Sequence, residues 1–197
     1  QQRYGIYADL TTLAKILAGW LPGGAVVGRA TLMDQLAFRD DPVWNREERV
    51  GHAGTFNANP LSAAAGLATL SLLADGQVQI EVDRAGQTLR NGLTEVIKAL
   101  GADACVYGES SIVNLFLGPH RHGLVFDRPS CKLDHHLLME HPNQEAYHRL
   151  RCALILHGVD FPLFHGWISA AHSDEDLEKT IRAFEAALRL MRYEGAL

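Results

Sequence analysis

Asp9-Leu10-Thr11-Thr12-Leu13-Ala14-Lys15-Ile16-Leu17-Ala18-Gly19-Trp20-Leu21-Pro22-Gly23-Gly24-Ala25 is the stretch on which the reading of this chain turns. It sets one lysine in an apolar run and follows it with small, turn-forming residues. An ammonium in apolar surroundings loses hydration, its pKa falls, and the neutral amine becomes accessible as a nucleophile. That is what a Schiff-base lysine requires. The same pattern also fits a lysine that buries its aliphatic stem and carries its head to water. Three further lysines occur. Lys98 and Lys179 lie beside apolar helix stripes, and Lys132 falls in an irregular connection.

Thr55 follows Lys15 by forty residues, within His52-Ala53-Gly54-Thr55-Phe56-Asn57-Ala58-Asn59-Pro60. A Gly-Thr pair in a tight loop offers free backbone N–H groups and a hydroxyl, which are good ligands for a phosphate. The alternative is a capped helix with Asn59 at its N-cap and no ligand. Pro60 and the Ala-rich run after it read as that helix.

Residues 1–76 are rich in Gly, Ala and small polar types, whereas residues 77–197 alternate amphipathic helices with short apolar strands. Val82, Ala85, Leu89, Leu93, Ile97 and Leu100 recur at steps of three and four, and Gly101 offers a left-handed stop. Ala104–Tyr107 and Ile112–Leu117 read as strands with a turn between them. Glu145–His157 reads as a helix ending at Gly158. Ser173, followed by three acids, reads as the start of a last helix, with Leu177, Ile181, Phe184, Leu188 and Met191 as its buried stripe. Such alternation predicts a small α/β layer domain.

Composition removes several function classes. Apolar types make up 47% and charged types 21%, which argues against disorder. The net charge of −5 argues against a nucleic-acid surface, which needs clustered Lys and Arg. No uninterrupted apolar stretch is long enough for an ordinary transmembrane helix. Cys105, Cys131 and Cys152 are widely spaced and make no recognisable framework, so the expectation is reduced thiols and a cytoplasmic protein. The start at Gln1, with neither initiator Met nor signal pattern, fits a processed or partial product. His120, His122, His135, His136, His141 and His148 crowd one region without H-E-x-x-H or Cys/His spacing, so no metal is expected. Neither GxGxxG, GxxxxGK[ST] nor G-x-S-x-G occurs.

Together, the Lys15 stretch with Gly28-Arg29 and the Gly54–Pro60 segment resemble the cofactor-lysine and phosphate-binding regions of class III pyridoxal-phosphate aminotransferases. Gly158-Val159-Asp160 and Ser169-Ala170-Ala171-His172-Ser173-Asp174-Glu175-Asp176 resemble the ending of the branch containing glutamate-1-semialdehyde aminomutase. The likeness runs over nearly the whole chain. It implies the α/β type I fold of pyridoxal-phosphate enzymes. Residues 1–76 would be the end of the large domain, with a mostly parallel sheet, and residues 77–197 the small carboxy-terminal α/β domain.

The implied function is amino-group transfer through a lysine aldimine of pyridoxal 5'-phosphate, by a transaminase or an aminomutase. A truncated non-catalytic relative is the rival. Lys15 would hold the cofactor and move protons. Thr55 and the Gly54 backbone would contact the phosphate of the cofactor held by the partner subunit of a homodimer. The substrates would be a small-molecule amino donor and acceptor, with no nucleic acid or membrane involved. Three departures accompany the likeness. The family's amino-terminal half, with the aspartate facing the pyridine nitrogen, is not in this sequence, so the chain alone is expected to be inactive and to expose apolar surface. Trp20 replaces the usual Gly of a Gly-Gly-Gly-Leu-Pro run. Trp167-Ile168-Ser169 stands where many ω-aminotransferases carry an arginine, which favours the aminomutase-like branch.

Overall fold

The computed structural model describes residues 1–118, 136, 143–162 and 164–196. Two compact units divide the chain, Gln1–Asp75 and Gly76–Leu197.

In the first unit, β1 (Leu10–Leu13) pairs antiparallel with β2 (Ala25–Gly28), in register from Leu10↔Gly28 to Leu13↔Ala25. Arg29 closes the open end of this ribbon, with its N–H on the Asp9 carbonyl and its Nε 2.7 Å from the Asp9 carboxylate. A short helix α1 (Ala30–Met33) follows. Residues 34–50 then hold two short helical turns, Asp34–Leu36 and Trp44–Glu48, and the buried Trp44 donates from Nε1 to the Ala37 carbonyl at 3.0 Å. The longer helix α2 (Pro60–Leu73) starts where the sequence predicts it. Asn59 caps it by accepting from the amides of Leu61 and Ser62, and Pro60 occupies the first turn. Its residues PLSAAAGLATLSLL are apolar on all sides, and Leu61, Leu67 and Leu72 are exposed.

The expected mostly parallel sheet is corrected here: both sheets among the described residues are antiparallel. Residues 14–24, between β1 and β2, contain a single short turn of helix. A parallel pair needs a crossover of a dozen or more residues, so this connection returns the chain as a hairpin.

The second unit is built around one apolar core. Helix α3 (Gln77–Leu100) buries Ala85, Leu89, Leu93, Val96 and Ile97, and Gly101 stops it at φ 57°. The strands β3 (Ala104–Tyr107), β4 (Ile112–Leu117) and β5 (His165–Trp167) form an antiparallel sheet in that order. Strand alternation sends Ala104, Val106, Val113, Leu115 and Leu117 into the core. Helices α4 (Gln144–Leu156) and α5 (Asp174–Tyr193) bring Leu150, Leu154, Leu177, Phe184, Leu188 and Met191 to the same core. Each such side chain contributes about 1.5–3 kcal/mol relative to exposure. Ser173 and Asp176 form a full capping box at the start of α5. The buried Arg90 is satisfied by the carbonyls of Ser110 and Ile112, at 2.7 and 2.8 Å.

The expectation of three reduced cysteines is corrected at Cys105, which is disulfide-bonded, while Cys152 is a free exposed thiol. Spacing along the chain does not report which cysteines meet in space. Among the described residues, no single helix is long and apolar enough to cross a membrane.

Candidate functional site

Lys15 stands two residues beyond β1, as the first residue of a 3₁₀ turn, Lys15–Ala18. Its side chain is exposed, so the described residues of this chain do not supply the dehydrated surroundings that the nucleophile reading requires, and fit the alternative of a head carried to water. Its Nζ has no hydrogen-bond or ion-pair partner among the described residues. Its backbone is left-handed, at φ 58°. That conformation costs a residue with a Cβ about 1–2 kcal/mol, and strained backbone of this kind concentrates at functional sites. Two further left-handed residues follow, Gly19 at φ 60° and Trp20 at φ 68°, with the Trp20 indole 84% exposed.

Helix α2 holds this lysine loop from one side. Ser62 Oγ donates to the Pro22 carbonyl at 2.7 Å. A Cβ at Gly66 would lie 2.9 Å from the Leu17 carbonyl oxygen, so only glycine lets the turn come this close.

The Gly54–Asn59 loop leads directly into the same helix. The Asn57 amide donates to the Gly54 carbonyl at 3.1 Å, and Asn57 Nδ2 to the His52 carbonyl at 3.0 Å. The helix start has no donor to spare. Pro60 has no N–H, Asn59 Oδ1 takes those of Leu61 and Ser62, and the Asn59 carbonyl takes that of Ala63. The capped-helix reading of Asn59 is therefore right as far as it goes. The donors left over lie in the loop itself. The amides of Gly54, Thr55 and Phe56 and the Thr55 hydroxyl have no partner among the described residues, and all three residues are exposed. Such a set suits a phosphate.

Residues after Lys15 and residues of the Gly54–Asn59 loop face a common groove of about 950 Å³. Leu17, Ala18 and Pro22–Ala25 line it from the lysine loop, and His52 and Phe56–Asn59 from the other. Neither Lys15 nor Gly54 nor Thr55 is among its lining residues. No hydrogen bond joins Lys15 to Gly54 or Thr55. Arg49, which the sequence did not single out, also lines the groove.

The other flagged residues lie in the second unit. Lys98 pairs with Glu95 at 3.0 Å, and Lys179 is exposed. Asp160 pairs with Arg151, whose hydrogen bond holds the carboxyl below its usual range. His172 Nδ1 accepts from the Ser169 amide at 3.0 Å. Asp176 is likewise held low, chiefly by the Ser173 amide. Trp167 is exposed and lies edge-on to His165, 4.4 Å between ring centroids. Among the described residues no group of three His, Cys, Asp or Glu is placed to hold a metal. Lys132, His120, His122, His135 and His141 lie outside the described residues.

The class-III aminotransferase sequence profile matches residues 1–102, a span that holds both Lys15 and Gly54–Thr55. Glutamate-1-semialdehyde 2,1-aminomutase of Methanosarcina acetivorans is 32% identical over 187 residues, covering 93% of this chain and 39% of that protein. The protein of the same name from Thermomicrobium roseum is 36% identical over 191 residues, covering 95% and 40%. Among solved structures, an omega-transaminase from Sphaerobacter thermophilus superposes with a TM-score of 0.76 at 31% identity, over 98% of this chain and 41% of that one. A transaminase with PLP bound superposes with a TM-score of 0.75 at 26% identity, over 100% and 41%. The chain thus spans about two fifths of the length of the relatives it matches.

Proposed function

The chain belongs to the class III aminotransferases, and from that premise we propose that it is the lysine-bearing part of a pyridoxal-phosphate-dependent aminotransferase. The observation that carries this reading is the profile match over residues 1–102, because one continuous stretch holds the lysine and the phosphate-type loop. Lys15 supplies the amine that holds the cofactor and, once released, takes and returns a proton at the substrate carbon. When bound, pyridoxal phosphate supplies the electron sink for the electron pair left on that carbon. The unpartnered amides of Gly54 and Thr55, with the Thr55 hydroxyl, hold the phosphate. The loop residues fit this role because their donors are exposed and unused.

The active unit in this reading is a homodimer. In this reading Gly54 and Thr55, which make no hydrogen bond to Lys15, serve the cofactor held by the partner. The first unit also exposes apolar surface of the kind that the rest of a longer subunit, or a partner, covers. Of 24 large apolar side chains exposed among the described residues, 18 fall in Gln1–Asp75, where only Ala18 and Trp44 are buried side chains. A surface so apolar marks an interface. Residues 1–76 then form the end of the large domain and residues 77–197 the small carboxy-terminal domain. Aminomutase chemistry is the second reading, favoured by the names of the relatives above. Both use the same lysine, acting on small-molecule amino compounds.

The test follows cofactor binding by its visible absorption band. Lys15→Ala is expected to abolish the band. Thr55→Ala is expected to weaken binding about tenfold, the loss of one hydrogen bond to a charged group. A band that survives in Lys15→Ala overturns the assignment.

A further inference from the structure

The left-handed backbone of Lys15, at φ 58°, is disfavoured about five- to thirtyfold for a residue with a Cβ, so the loop of residues 14–24 has to be held from outside. Its own hydrogen bonds are short-range backbone ones, from the amides of Leu17, Gly19 and Leu21 to the carbonyls of Ala14, Ile16 and Ala18, at 3.4, 2.9 and 3.1 Å. Bonds of this kind shape a turn and do not anchor it. Helix α2 offers the anchor. Ser62, Ala65, Gly66 and Thr69 share one of its faces. A Cβ on Gly19 would lie 3.0 Å from the Ala65 Cβ and 3.1 Å from Thr69 Oγ1, so loop and helix meet almost backbone to backbone. Packing of small groups fixes the separation of two elements but not their register, because it is non-directional. Register needs a directed contact. The bond from Ser62 Oγ to the Pro22 carbonyl, at 2.7 Å, is the one hydrogen bond among the described residues that ties residues 14–24 to anything beyond themselves and the β1–β2 ribbon.

We propose that Ser62 is a positioning residue for Lys15: its hydroxyl pins the lysine loop to α2 and holds the lysine backbone in the strained conformation from which its amine meets the cofactor. Two magnitudes support this. One such hydrogen bond shifts a local equilibrium about two- to tenfold, the same order as the strain it opposes, so its loss is enough to let Lys15 relax. The same helix begins directly after the Gly54–Asn59 loop and is capped by Asn59, so the pin joins the lysine loop to the rigid element that carries the phosphate-type loop. The proposal rests on the assignment of Lys15 as the cofactor amine, but the pin itself is read without any cofactor.

Hydrogen exchange of the full chain, and borohydride trapping after incubation with pyridoxal 5'-phosphate, test it in Ser62→Ala and Ser62→Thr. In Ser62→Ala the amides of Gly19 and Leu21 are expected to exchange about fivefold faster, while those of α3 keep their wild-type rates. Trapped pyridoxyl on Lys15, taken as a ratio to that on Lys179 of the same molecule, is expected to fall about two- to fivefold. Ser62→Thr keeps the hydroxyl and is expected to bring both readings back to within about twofold of wild type. A purely structural role at position 62 would lower stability without moving the labelling ratio. Fluorescence of the buried Trp44 checks folding. Should Ser62→Ala not fold, Ser62→Cys, which is similar in size but only a weak donor, is expected to change both readings in the same direction. Unchanged exchange at Gly19 and Leu21 overturns the pin, and faster exchange with an unchanged labelling ratio overturns its part in placing Lys15. A wild-type chain whose Lys15 takes no more label than Lys179 overturns the lysine assignment, and the placing of that amine with it, while faster exchange in Ser62→Ala would still establish the pin.

Discussion

Replacing Trp20 by glycine should stabilise the first unit relative to replacing it by alanine. Trp20 lies at φ 68°, directly after Gly19 at φ 60°. A residue with a Cβ pays about 1–2 kcal/mol for that conformation, and alanine pays it as tryptophan does. Glycine escapes the strain but loses more freedom on folding, at about 0.4–1 kcal/mol. The indole is 84% exposed, so both variants forfeit little packing. The balance favours glycine over alanine by roughly 0.5–1 kcal/mol, from the two terms together. With a urea slope of about 1 kcal/mol per molar, the midpoint moves up by roughly 0.5–1 M. Fluorescence of the buried Trp44 reports the transition, since neither variant carries the exposed indole at position 20 and Trp167 is common to both. An alanine variant as stable as the glycine variant would refute the strain argument. Loss of stability in both would show that the indole packs on something. The same strain explains why the resemblance expects glycine at this place.

Three further outcomes concern the second unit. Tyr147→Phe leaves the buried Leu117 N–H, now 2.8 Å from the Tyr147 hydroxyl, without an acceptor, at about 2 kcal/mol. For a unit the size of Gly76–Leu197, that lowers the Tm by about 8 °C in calorimetry. A drop of less than about 2 °C would mean that the amide finds another partner. Burial pushes the Tyr147 hydroxyl up from 10.0 to about 12. Its raised folded pKa keeps stability intact below pH 10 and removes it as pH rises from there towards 12. Urea titrations over that range should show the decline in the wild type and a shallower one in Tyr147→Phe, where Tyr107, also raised by burial, still contributes. At the acid end, the Ser173 amide depresses Asp176, so its contribution is present above its ordinary value of 3.8 and is lost as pH falls through the lower folded value. Asp176→Asn should flatten that acid limb, and an unchanged limb would remove the capping box as its cause.

What the sequence discloses depends on whether the deciding force is local. Helices α3, α4 and α5 were readable within a few residues, because an apolar stripe and its caps lie in one stretch of chain. Strands β3 and β4 were readable from apolar runs on either side of a Gly-Ser turn. Strand β5 was not, since His165-Gly166-Trp167 has no alternation and is held by its pairing with Ile112–Asn114. The parallel sheet was expected from a resemblance, and the short Ala14–Gly24 connection decides against it in the part of the fold described. At the site, the sequence singles out Lys15 as a candidate but carries no sign of its left-handed backbone. The bond from Ser62 to Pro22 was hidden too, because a contact between residues 40 apart is a property of space rather than of spacing.

The central claim is that Lys15 is the amine that takes the cofactor. Incubation of the chain with pyridoxal 5'-phosphate, reduction with borohydride and mass mapping of the peptides addresses it directly. The account predicts a pyridoxyl group on the peptide bearing Lys15, well in excess of that on the exposed Lys98 and Lys179. Labelling of all three alike, or an unmodified Lys15, would contradict it.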